Sequence, residues 1–188
     1  MSAKRSYFAF LLFMMTCLPS CSLLHAEDAE IRDLLVTNNA THVLLYARVT
    51  NCFTKEIEAA ILAGVPTTFT FVVDLFEERP RWFDKRLVRL TVQHTIKYDN
   101  VKKLFTVSSD GEKEPASFQD YESAKRAMTD LNGVPVALLT TLKKGESYYV
   151  QVKAKLDKVR LPLHMEYIFF FVSLWDFETD WYREGFYY

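Results

Sequence analysis

Three carboxylates in the stretch "SLWDFETDWY", Asp176, Glu178 and Asp180, follow one another at two-residue spacing. On a strand this spacing puts all three on one face and Trp175, Phe177 and Trp181 on the other, and such a row could hold a hard cation such as Ca²⁺ through its oxygens. The glycine of a calcium loop would fall at Trp181 and its closing glutamate at Tyr187, so no such loop is present. A solvated acidic strand face is the plainer reading. His94 could join the carboxylates as ligand or general base, which would give a metal-dependent or hydrolytic enzyme. Against that, His94 falls on the apolar side of its strand, where a hydrogen-bonded core histidine is the simpler expectation. Cys52 reads as a small buried hydrophobe rather than a reactive thiol.

A second cluster has the chemistry of recognition rather than catalysis. The stretch "EERPRWFDKR", Glu77 to Arg86, joins two strand-like segments and places Trp82 among Arg79, Arg81, Asp84 and Lys85. Aromatic side chains flanked by arginine are common at interaction hot spots. The competing reading folds Trp82 back onto the sheet edge and leaves only the charges wet. Trp181 and Tyr187, in the closing "WYREGFYY" region, are further binding candidates, because amphipathic aromatics at a rim suit a partner surface. Their structural alternative is pairing along a sheet edge. There is no Gly-rich phosphate loop, no G-x-S-x-G, no H-E-x-x-H and no C-x-x-C, so no motif calls for a cofactor.

The elements that must position these residues read as strands almost throughout. From Leu87 to Tyr98 the alternation puts Val88, Leu90, Val92, His94, Ile96 and Tyr98 on one face and Arg89, Thr91, Gln93, Thr95 and Lys97 on the other. Tyr148 to Asp157 repeats the pattern. Segments 31–36, 43–50, 67–76, 104–108 and 134–142 are further strands, the first two joined by the turn-like "TNNAT". Two helices interrupt them. Thr54 can cap one carrying Ile57, Ala60 and Ile61, closed by Gly64 and Pro66; Ser117 with Asp120 begins the other, ended by Asn132-Gly133. The expected architecture is a mainly antiparallel β-sandwich of about seven strands, immunoglobulin-like in general architecture, with two short helices inserted. The apolar run "YIFFFVSLW" is expected to be a buried closing element, and "SSDGEKEP" an exposed hairpin loop.

The start of the chain has a different character. Lys4 and Arg5 precede an apolar run from Tyr7 to Leu18, too short to cross a membrane, and Pro19 follows. This is the pattern of a secretory signal. Cleavage after Ala26 gives a soluble product beginning at Glu27, whereas Leu18-Pro19-Ser20-Cys21 resembles a bacterial lipobox, which would remove residues 1–20 and lipidate Cys21. Both readings leave one domain, 27–188, outside the cytoplasm in the periplasm or cell envelope. The chain has a net charge of −1 overall, which argues against a nucleic-acid partner. After cleavage at Ala26 only Cys52 remains, so the fold must rest on its core rather than on an internal disulfide; the 49% apolar and 15% aromatic composition can supply that.

The run "EIEAAILAGVPTTFTFVVDLFEERPRWFDKRL", with its short helix ending in Gly-x-Pro, its aromatic-rich strand and the cluster Arg79, Arg81, Trp82 and Asp84, resembles the signature segment of domain-of-unknown-function family number 4390. That family comprises exported proteobacterial proteins. The closing "SLWDFETDWY" is similar as well, so the resemblance spans nearly the whole of 27–188. It implies an envelope location and brings no activity and no catalytic residues. The expectation is therefore a non-enzymatic envelope protein that binds another protein or a small ligand, touching the membrane only where Cys21 carries a lipid, with the enzyme built on Asp176, Glu178, Asp180 and His94 as the alternative.

Overall fold

In the computed structural model, which describes residues 28–110, 114–157 and 177–188, the alternation from Leu87 to Tyr98 becomes the body of β4 (Lys85–Asp99). Val92, His94 and Ile96 point inward and are buried, while Arg89, Thr91, Gln93 and Lys97 face out. β3 (Thr67–Glu77) runs antiparallel between β4 and β8 (Ser147–Leu156), so its backbone has hydrogen-bonding partners on both edges. A strand held from both sides tolerates the bulky, β-branched and aromatic sequence "TTFTFVVDLFE" well. Phe69, Phe71, Val73 and Leu75 fill its inner face and are wholly buried. With β5 (Leu104–Ser109), β6 (Ala116–Phe118) and β9 (Tyr182–Tyr187), these strands form one sheet in the order β6-β5-β4-β3-β8-β9, curled into a half-barrel.

The second sheet has the order β1-β2-β7, made of β1 (Glu30–Asn38), β2 (His42–Thr50) and β7 (Asp130–Leu138). Ile31, Val43, Leu45, Val49, Leu131 and Val136 bury against the hollow of the larger sheet, and the two inner faces make one core. The antiparallel sandwich expected from the alternation is thus present. The described residues hold nine strands rather than about seven; β6 and β9, short strands at the two edges of the larger sheet, make up the difference.

α1 (Lys55–Leu62) starts where the sequence places it, with Thr54 Oγ1 accepting the Ile57 amide at 3.3 Å, and it buries Ile57, Ala60 and Ile61. α2 (Tyr121–Thr129) is capped by Asp120, whose carboxylate accepts the Ser123 amide at 2.7 Å. Ser117, expected to share in starting that helix, instead pairs with Thr106 inside β6. Asn132-Gly133 does not end the helix either: the chain passes from Thr129 directly into β7, and the strand expected over 134–142 begins four residues earlier and stops at Leu138. The glycine serves a bulge. Leu45 pairs with Val134 and Tyr46 with Asn132, leaving Gly133 between them at φ +68°, where a Cβ would come within 3.2 Å of the Tyr46 hydroxyl.

The β3–β4 loop, the start of β8 and the end of β9 lie together at one end of the sandwich. The Glu78 amide donates to the Ser147 carbonyl at 2.9 Å, and Ser147 in turn stands opposite Tyr187. Residues 158–176, which include the "YIFFFVSLW" run expected to close the core, lie outside the described residues, as do Cys21 and the rest of 1–26.

Candidate functional site

The loop from Glu78 to Asp84 is short, and most of its polar groups are tied inward. Arg79 opens a four-residue turn in which the Trp82 amide donates to the Arg79 carbonyl at 3.2 Å, with Pro80 at the second position, where its fixed φ favours turning. Asp84 closes the loop from the other side. One of its oxygens accepts the Arg79 amide at 3.0 Å, and the other accepts the Tyr149 hydroxyl of β8 at 3.1 Å. Tyr149 is buried, stacked on Phe76 at 5.0 Å between ring centroids, and covered by the Arg183 guanidinium 4.0 Å from its ring. Burial, with the Asp84 carboxylate beside it, pushes the Tyr149 phenol above its ordinary range, so it stays a hydrogen-bond donor. The base of the loop is therefore held by a three-layer stack and an aspartate clamp.

The tip is not held by the body of the protein at all. Trp82 is 80% exposed and Phe83 95%. Trp82 does not fold back onto the sheet edge, because Asp84 and the turn at Arg79 hold the backbone with both aromatic side chains pointing away. Arg81 lies in the tip and Lys85 and Arg86 follow it at the start of β4, all three exposed and without a direct ion pair among the described residues, although the charges of Lys85 and Arg86 act on Glu77 and Asp74 respectively. The neighbouring carboxylates are occupied. Glu77 accepts Lys143 at 3.1 Å with Arg79 at 3.8 Å, and Glu78 accepts Arg183 at 3.1 Å. The hydrogen bond from Lys143 is the main reason the Glu77 carboxyl titrates below its ordinary range.

Of the other sequence candidates, Tyr187 joins this end. It is 73% exposed on β9 beside Gly145, which sits at φ +84° with the tyrosine hydroxyl 3.5 Å from where a Cβ would be. Trp181 does not join it: it stands just before the opposite end of β9, with Lys153 Nζ 5.2 Å from its ring. The aromatics of this tail pair along the edge of β8, and Phe186 packs against the core.

The described members of the carboxylate row, Glu178 and Asp180, lie outside the named strands. Only Glu178 makes a bridge, to Lys155, and its side chain pairs with Lys153; Thr179 turns inward, where its hydroxyl accepts the Ala154 amide at 3.0 Å. Asp180 is exposed, and Asp176 lies outside the described residues. Lys153 stands opposite Val72 on the outer face of the sheet, whereas His94 stands opposite Phe69 on the inner face. The sheet thus separates Glu178 from His94, and among the described residues no three His, Cys, Asp or Glu side chains stand close enough to hold a metal ion.

His94 has a structural role that the sequence pattern suggests. It is 5% exposed, its ring meets Phe71 edge-on at 5.1 Å, and its Nδ1 lies 3.1 Å from the Met128 carbonyl near the end of α2. A carbonyl can only accept, so Nδ1 carries the proton and satisfies a carbonyl that the helix end leaves over. The expected result of His94→Leu is a folded protein about 1–2 kcal/mol less stable in urea unfolding, the cost of one buried acceptor left without its donor. An unfolded variant, or an unchanged midpoint, would contradict this assignment. Cys52 is also structural: burial pushes its thiol up to about 12, far from the thiolate a nucleophile needs.

Sequence reasoning found Arg79, Arg81, Trp82, Asp84 and Lys85 but passed over Phe83 and Tyr149. The adjacency of Phe83 to Trp82 in a loop between two strands was a usable signal. Tyr149 could not be identified as the loop's anchor without knowing that β8 pairs with β3.

Compared with known proteins, residues 26–184 match the family model described as Domain of unknown function (DUF4390). No curated protein and no solved structure matches the chain.

Proposed function

The chain belongs to the DUF4390 family, and we propose that it is an exported, non-enzymatic binding module of the cell envelope whose recognition element is the β3–β4 loop. The observation that carries this is the exposure of Trp82 and Phe83 side by side on a loop whose base is fixed by Asp84 and Tyr149. Two large apolar side chains held away from the body contribute nothing to the core, and adjacent exposed aromatics are a mark of contact surfaces. A pre-formed base lowers the ordering cost of binding, because the loop need not be frozen when a target arrives. Export rests on the signal-like residues 1–26, with either a soluble product after Ala26 or an acyl anchor at Cys21.

A photo-reactive amino acid placed at position 83 in the native host tests this reading. Adducts to an envelope component, protein or lipid, are expected from position 83. None are expected from position 91, where Thr91 is exposed in the middle of β4. An absence of adducts at 83, or equal yields at the two positions, would remove the loop as the recognition element.

A further inference from the structure

We infer that the target of the β3–β4 loop is an anionic phospholipid surface, with Trp82 and Phe83 entering the interface while Arg81, Lys85, Arg86 and Lys144 lie at headgroup level. This rests on the loop being the recognition element. It goes beyond a lipid anchor at Cys21, because it gives the folded domain a membrane contact of its own. The tip is convex, with Phe83 95% exposed at its crest, and it presents two contiguous apolar side chains rather than a groove. Large aromatic residues favour the boundary between water and hydrocarbon, tryptophan most of all because its ring is apolar and its N–H can stay wet. Cations stand on both sides of the tip in sequence, and Lys144 adds another from the β7–β8 connection, whose Lys143 reaches Glu77 at the loop's base.

The charge balance favours a negative target. Glu77 is taken by Lys143, Glu78 by Arg183, and Asp84 by the Arg79 amide and the Tyr149 hydroxyl, so the acidic side chains of the loop and its flank are turned to internal bonds. Arg81, Lys85 and Arg86 are exposed, and Lys85 and Arg86 act on Glu77 and Asp74 respectively only through the field, with no direct ion pair among the described residues. An apolar tip flanked by exposed cations matches a layer of hydrocarbon beneath a layer of phosphate. A protein partner would have to supply an apolar pocket rimmed by acids in the same arrangement. Tyr187, 73% exposed at the same end, supplies a third interfacial aromatic.

The test uses the chain from Glu27 to Tyr188, which carries every described element and both sheets of the core. Co-sedimentation is measured with vesicles of phosphatidylcholine alone and with vesicles that are roughly one-third phosphatidylglycerol. Binding to the anionic vesicles is expected to exceed binding to the neutral ones by at least about tenfold at low salt and to weaken as salt rises. Trp82→Ala with Phe83→Ala should lower it by more than about tenfold, and each of Arg81→Gln and Lys85→Gln by about fivefold. All four positions are exposed, so circular dichroism should not change. Equal binding to the two vesicle types, or no loss in the aromatic double variant, overturns the inference. If vesicles fail to bind while position 83 still cross-links to a protein in cells, the lipid target is wrong and the loop's role in recognition stands.

Discussion

Replacing Phe71 with alanine is expected to lower the unfolding free energy by about 3–5 kcal/mol, the largest loss of any single change considered for this protein. Phe71 is wholly buried at the centre of β3, between Val92 of β4 and Ala154 of β8, with the His94 ring edge-on at 5.1 Å. Truncation removes the apolar contacts of the ring and leaves a cavity. β3 is hydrogen-bonded on both edges, so the backbone cannot move in to close it. Ala154, the cross-strand neighbour on β8, is already too small to reach across. Set against the 5–15 kcal/mol typical of a whole domain, this loss should bring the midpoint of thermal unfolding down by roughly 6–20 °C. A loss below about 1.5 kcal/mol in urea unfolding would mean that Phe71 is not at the centre of the core.

The same strand marks how far the sequence could be read. Phe69, Phe71, Val73 and Leu75 are recognisable as an apolar face from their two-residue period alone, as are Val92, His94 and Ile96 on β4, and this is enough to give an antiparallel sandwich. Register is a different matter. That Asp74 stands opposite Arg89 and beside Gln151 depends on how β3 slides against β4 and β8, and no single strand carries that information. Gly133 illustrates the same limit from the other direction. Next to Asn132 it has the local signature of a helix stop, and only its register against β2, with Asn132 opposite Tyr46 and Val134 opposite Leu45, makes it a bulge. The candidate site divides along this line as well. Its exposed members, from Arg79 to Lys85, are contiguous and legible, whereas Tyr149, which fixes their geometry, comes from a strand far along the chain.

Asp74 supplies the second large effect, one whose size changes with pH. Its carboxylate is fully excluded from water on the outward side of β3, and both oxygens accept from Arg89 at 2.7 Å, with Gln151 Nε2 at 3.3 Å. Burial alone would raise the Asp74 carboxyl, but the bonds from Arg89 and Gln151 outweigh it, so the group titrates below its ordinary range. A folded-state value lower than the unfolded one stabilises the protein at pH above the ordinary aspartate value near about 4, and that stability is lost as pH falls below it. Arg89→Ala removes the partner and leaves the burial. Breaking a fully buried pair costs about 3–5 kcal/mol, and Arg89 is half exposed, so the expected loss at pH 7 is nearer about 2–3 kcal/mol. In that variant only Gln151 and Arg86 still oppose the burial, so the Asp74 carboxyl moves up and protonation costs the folded state less. The native protein should therefore lose stability between pH 5 and pH 3 while the variant loses less, and the gap between them should narrow on acidification. Urea unfolding of both proteins at pH 7 and pH 4 measures the two gaps directly. A gap of the same size at both pH values would mean that Arg89 acts through packing of its stem rather than through the charge on Asp74.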